Sequence, residues 1–187
     1  MGTHAGQQEE QNAGSSFSFS VAFFRFDLGF RMKIHLIAVG NRMPNWVNEG
    51  YQEYAKRLSQ ECILQLTEIT PGKRGKGARP MLAKEDEGAK MLKAIPAGCH
   101  VVILDVLGKP WSTEQLAQRC ESWQNNGRDI ALLVGGPEGL AESCITRADE
   151  RWSLSPLTFP HPLVRVVIAE QLYRAWSILN NHPYHRA

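Results

Sequence analysis

The chain has 187 residues, 43% of them apolar and 21% charged, with a formal net charge of +2. That is enough chain for one globular domain with a real core, and the composition is not that of a disordered or fibrous protein. A charge this small excludes a bulk polycation that holds nucleic acid nonspecifically, so any RNA contact must come from local basic patches or from shape.

The first 31 residues differ from the rest. Met1 to Ser16 is polar and low in complexity, and Phe17 to Phe30 is aromatic but interrupted by Arg25 and Asp27. A signal peptide needs a basic start, an unbroken apolar stretch and a small-residue cleavage site, and this segment has none of them. Residues 1–31 read either as a disordered natural extension or as codons translated upstream of a start at Met32. The second reading is preferred because an apolar run follows Met32 at once. The domain is accordingly expected over residues 32–187. No apolar run reaches the roughly 20 residues that cross a bilayer. Cys62, Cys99, Cys120 and Cys144 lack zinc-knuckle or redox spacing and sit in apolar surroundings, which predicts buried free thiols and suits a reducing cytoplasm.

From Lys33 onward, β-type runs alternate with helical periodicity. Lys33 to Val39 reads as a strand. Asn45 to Ser59 reads as a helix with Trp46, Tyr51, Tyr54, Ala55 and Leu58 near one stripe. Ile63 to Thr70 alternates at period two. Pro71 to Pro80 is a Gly/Pro loop carrying Lys73, Arg74, Lys76 and Arg79, either a phosphate contact or a solvated turn. Met81 to Ile95 is helical, and His100 to Val106 is a strand apolar enough to be covered on both faces. Ser112 with Gln115 makes a capping box that opens a helix to about Asn126. Asp129 to Val134 is another buried strand, Trp152 to Thr158 a short last one, and Pro162 opens a long helix to Asn180 striped by Val164, Ile168, Leu172, Trp176 and Leu179. This alternation predicts an α/β fold, a mostly parallel sheet with helices on both faces. Ligands of such sheets bind beyond the carboxyl ends of the strands, which singles out Leu104-Asp105, the Gly135 turn and Leu154 to Phe159.

Several stretches carry chemistry. Gly135-Gly136-Pro137-Glu138-Gly139 follows a buried strand but is neither GxGxxG nor GxxxxGKS, which argues against a dinucleotide dehydrogenase and an NTPase. Glu138, expected in the first turn of a following helix, would repel phosphate and tolerate a cationic ligand with a neutral nucleoside. A tight turn that simply needs glycine is the competing reading. In Ser153 to Arg165, Pro160 and Pro162 flank His161 and stiffen a donor-poor loop able to wrap an adenine, or merely to connect a strand to a helix. His161 itself is a candidate base or RNA contact, or a structural residue at a helix start. The tail Asn181-His182-Pro183-Tyr184-His185-Arg186 collects rings and a guanidinium of the kind that stack on bases and touch phosphate, unless it is a frayed end. His182 and His185 have no carboxylate or cysteine beside them, so no metal site is expected.

Read together and in order, AVGNRMPNWV, GKRGKG, LDVLGKPW, LLVGGPEGL, WSLSPLTFPHPLVRVVIAEQLYRAW and NHPYHR resemble the RlmH family of SPOUT-class methyltransferases, over essentially all of Met32 to Ala187. The resemblance implies a SPOUT-type fold with a C-terminal trefoil knot, a feature that general chain-path rules would never predict. It implies methylation of N3 of a pseudouridine in a 23S ribosomal RNA stem-loop at the subunit interface, with S-adenosylmethionine (SAM) as donor. The implied cofactor residues are Leu104, Gly135, Leu154, Ser155, Pro156, Leu157, Thr158 and Phe159. A homodimer is implied too, with the site completed by the partner, Tyr184, His185 and Arg186 reaching the RNA, and the apolar helix Leu163 to Leu179 as its surface. His161, His185 and Arg186 are the candidates for catalysis. The small net charge and the resemblance together favour an assembled ribosome as substrate. A related SPOUT enzyme acting on transfer RNA and a noncatalytic ribosome-binding protein are the alternatives. The extension and the terminal Ala187 depart from the family pattern.

Overall fold

The structure, a computed structural model, describes residues 31–58, 62–75 and 79–186; the expectations for residues 1–30, Lys76 and Ala187 lie outside the described residues. Among the described residues, five strands and five helices alternate in strict order: β1 (Met32–Val39), α1 (Asn45–Ala55), β2 (Cys62–Ile69), α2 (Pro80–Ala94), β3 (His100–Pro110), α3 (Thr113–Asn125), β4 (Ile130–Val134), α4 (Glu142–Arg147), β5 (Glu150–Ser153) and α5 (His161–Leu179). All strands pair in parallel, in the order β2-β1-β4-β3-β5.

Burial explains why the central strands are apolar without alternation. Every residue of β4 is buried. Successive side chains of a strand point to opposite faces, so the period of two appears as a division between two cores. Ile34, Leu36 and Ala38 of β1, Val102 of β3, and Ile130 and Leu132 of β4 join the core beneath α1, α3 and α5. Ile37 and Val39, Val101 and Ile103, and Ala131 and Leu133 face the opposite core, closed by α2 and α4.

The expected architecture is therefore present, and the differences lie at element ends. In α1, Val47 and Tyr51 are the buried residues while Trp46 is 54% exposed. One residue along a helix is a turn of about 100°, which is enough to carry Trp46 off the stripe. The buried stripe of α5 is likewise rotated from expectation: Arg165, Ile168, Ala169, Leu172 and Tyr173 face inward, and Leu179 is exposed. That stripe is occupied by the chain's own sheet, between α1 and α3, so only the outer face of α5 is left for a partner. The capping box of α3 is present, with Ser112 Oγ accepting from Gln115 N and Gln115 Oε1 accepting from Ser112 N. All four cysteines are buried and unpaired, and burial pushes their thiols up, that of Cys62 to about 12. Among the described residues no helix is long and apolar enough to cross a membrane.

Candidate functional site

Two strand ends and one connection shape a cleft at the carboxyl edge of the sheet. β3 runs past the expected end at Val106, but its register with β5 breaks: Leu104 and Lys109 both lie opposite Trp152. The four intervening residues bulge out of the ladder, a device that re-aims side chains at a sheet rim. Val106 and Leu107 thereby become 69% and 81% exposed. Beside the bulge, β4 ends in the glycine turn. Gly139 N donates to Gly136 O at 2.9 Å, closing a tight turn with Pro137 at its second position. A Cβ on Gly135 would stand 2.6–2.9 Å from backbone atoms of Gly139 and Leu140, and Gly139 has φ +76°, so both positions require glycine.

β5 ends at Ser153, earlier than the expected Thr158. Ser153 Oγ donates to Ser155 O, and Leu157 N donates to Ser155 Oγ at 2.9 Å, turning the chain out of the sheet before Pro156 would have interrupted its ladder.

These segments enclose about 520 Å³, within the range of small-molecule pockets. Of the cofactor residues expected from the sequence, Leu104, Gly135, Leu154, Ser155, Leu157, Thr158 and Phe159 line this cleft, together with Val134, Leu140 and Ile145. Pro156 is not among the lining residues. His161, the first residue of α5, does line it. Burial first, then Arg165 and Arg74, hold its imidazole below the usual histidine range, and the positive end of the helix acts in the same direction.

The glycine turn is held from outside by an ion-pair clip that the sequence did not reveal. Arg74 Nη1 lies 2.7 Å from Glu87 Oε1 and Arg74 Nη2 lies 2.6 Å from Glu138 Oε2. Glu87 is 2% exposed, and its Oε1 also accepts from Gly72 N at 2.7 Å. The basic loop is thus neither a solvated turn nor a free phosphate cradle at Arg74. Glu138 stands in the turn, four residues ahead of α4, and not in a helix. Arg74 holds its carboxyl below the usual range, so its charge is already neutralised.

The tail is ordered by the end of α5. Asn181 adopts φ +52°, His182 N donates to Ser177 O, and Asn181 N donates to Ile178 O, a Schellman-type termination that asparagine tolerates. The chain folds back along α5. Tyr184 packs 4.7 Å from the Tyr173 ring, its hydroxyl donates to Glu170 Oε1 at 3.0 Å, and the Arg174 guanidinium lies 4.9 Å over its ring. Burial, then Tyr54 and Glu170, push its phenol up. His185 Nε2 is 3.6 Å from Glu114, and Arg186 Nε donates to Pro183 O. His185 therefore sits beside the α3 start and Tyr184 against α5, and none of Tyr184, His185 and Arg186 lines the chain's own cleft.

A family model described as "Predicted SPOUT methyltransferase" matches residues 32–185. The chain is 60% identical over 155 residues to Ribosomal RNA large subunit methyltransferase H of Methylococcus capsulatus, covering 83% of this chain and 100% of that protein. It is 63% identical to the protein of the same name from Thioalkalivibrio sulfidiphilus, covering 83% and 99%. Among solved structures, a probable methyltransferase from Bordetella pertussis shares the fold at a TM-score of 0.51 and 15% identity, covering 79% of this chain and 97% of that one. With a match that spans every strand and helix of the domain, the chain belongs to the SPOUT methyltransferase family.

Proposed function

We propose that this chain uses SAM to methylate N3 of a pseudouridine in a 23S ribosomal RNA stem-loop at the subunit interface, as a cytoplasmic homodimer with a C-terminal trefoil knot. The observation that carries the reading is the cleft at the carboxyl edge of the sheet. It brings seven of the eight expected cofactor residues together with His161, in a chain whose relatives are named for ribosomal RNA methylation.

The donor set fits SAM. Leu104, Leu154, Leu157 and Phe159 offer apolar walls to an adenine, and the glycine turn offers backbone groups. Glu138, already paired, leaves a site without strong net charge for a zwitterionic amino acid bearing a sulfonium. When bound, SAM supplies an electrophilic methyl group on sulfur. The chain's part is to place the target imide nitrogen in line with that carbon and to take its proton as the N–C bond forms and the C–S bond breaks. Positioning of this kind supplies up to roughly 7–11 kcal/mol of barrier reduction.

His161 is the residue of this chain that best fits the base: it lines the cleft, and burial holds its imidazole below the usual histidine range. Tyr184, His185 and Arg186 lie outside their own cleft, which favours their acting on RNA at the cleft of a second copy. The exposed Val106, Leu107 and Leu157 at the rim give that copy an apolar seat.

Methyl-labelled SAM offered with ribosomes lacking the modification, with free 23S RNA and with transfer RNA tests the reading. Label at N3 of a ribosomal pseudouridine supports it. Label in transfer RNA refutes the substrate, and ribosome binding without SAM binding would show a noncatalytic protein.

A further inference from the structure

Arg165 is the largest fully buried side chain among the described residues. Its Nη1 donates to Glu68 Oε1 of β2 at 2.6 Å, and its Nη2 donates to the carbonyls of Val39 at 3.1 Å and Gly40 at 2.6 Å, at the end of β1. Burying a guanidinium is costly, and a buried ion pair adds little stability over well-packed apolar side chains of the same volume. A methionine would serve the core as well, so stability alone does not account for this residue. What a methionine could not do is reach three acceptors on two strands and fix the setting of the helix that carries it. Residues four apart lie on one side of a helix. Four residues before Arg165, on the first turn of α5, stands His161, in the cleft.

We propose that Arg165 is a positioning residue for proton removal: it fastens the first turns of α5 to the carboxyl ends of β1 and β2, holds the His161 imidazole in the cleft and stations a fixed cation near it. This rests on the reading of His161 as the base. The charges acting on His161 are Arg165 on α5, Arg74 in the β2–α2 connection, Glu87 on α2 and Glu138 in the glycine turn. Lys84 and Asp105 line the same cleft. The two arginines oppose the imidazolium and the two glutamates favour it. Because Glu68 pairs with Arg165, changes at the two positions act on His161 with opposite signs.

The experiment follows the His161 imidazole by NMR titration in the full-length chain, alongside the pH profile of kcat/KM, in wild type, Glu68→Gln and Glu68→Gln/Arg165→Met. Glu68→Gln removes the anion and leaves the cation, so His161 should titrate at lower pH than in wild type. The double variant also removes the cation, and His161 should titrate at least about 0.5 pH higher than in Glu68→Gln. The acid limb of kcat/KM should follow in the same directions. A SAM affinity within about threefold of wild type by calorimetry would show the cleft intact, since such a change is under roughly 1 kcal/mol.

His161 titrating at the same pH in both variants, or an acid limb that ignores the imidazole, would overturn the proposal. Should the double variant not fold, Glu68→Gln/Arg165→Gln takes its place, with the same upward shift relative to Glu68→Gln expected. His161→Asn separates the two failures: a near wild-type rate there refutes the base, and the proposal with it. A large loss of rate with an unmoved titration refutes the role of Arg165 alone.

Discussion

Gly135→Ala is a small perturbation with a large expected consequence. The added methyl would lie 2.6 Å from Gly139 C, 2.8 Å from Gly139 O and 2.9 Å from Leu140 N. All three are backbone atoms, so no side chain can swing aside and the turn itself must move. Overpacking of this kind costs about 1–3 kcal/mol. The turn is closed by the Gly136–Gly139 hydrogen bond and clipped by Arg74, so the displacement falls on the floor of the cleft. If the same energy must be met to restore the binding geometry, SAM affinity falls by about 5- to 150-fold. Calorimetric titration with SAM, beside a thermal melt, measures both. An unchanged SAM affinity and an unchanged melting temperature would refute the reasoning, because the clash would then have been absorbed without moving the cleft.

Three further outcomes follow from the same geometry. Arg74→Met leaves Glu87, 2% exposed, without its cation, and should destabilise the fold by about 2–3 kcal/mol in denaturant melts, less than a fully buried pair because Arg74 is partly exposed. Glu87→Gln in the same chain should restore part of that loss. Since His161 has a folded-state pKa below its unfolded value, the unfolded chain binds the extra proton as pH falls below about 6.5, and stability drops there. His161→Asn should abolish that part of the pH slope and leave stability above pH 7 little changed; equal slopes below pH 6.5 would contradict the assignment. At the α5 terminus, Asn181→Val should cost about 1–2 kcal/mol because a β-branched side chain is poorly accommodated at φ +52°. Asn181→Gly should be neutral or better, as thermal melts would show.

Much of this fold was legible in the residues. The unbroken apolar runs of β3 and β4 mark strands covered on both faces, and the Ser112–Gln115 box marks the start of α3. The three stretches that meet at the cleft were identifiable because a parallel sheet exposes its carboxyl ends. The bulge between Leu104 and Lys109 was not legible, since register depends on β5 and not on the β3 sequence. Nor was the Arg74 clip, whose carboxylates lie 13 and 64 residues away along the chain. Two missed features did carry a local signal. Arg165 occupies a position three before Ile168, on the buried side of α5, where a charge needs a partner. The Asn180-Asn181 pair just beyond the helix is a C-cap signature, and it distinguishes a packed tail from a frayed one.

The most direct test of the account is a map of backbone amide shifts on adding SAM to the full-length chain. Perturbation should concentrate at Leu104 to Leu107, Val134 to Leu140 and Leu154 to Val164, the segments that form the cleft. Perturbation centred instead on the opposite edge of the sheet, around His100, Trp123 and Arg128, would contradict it.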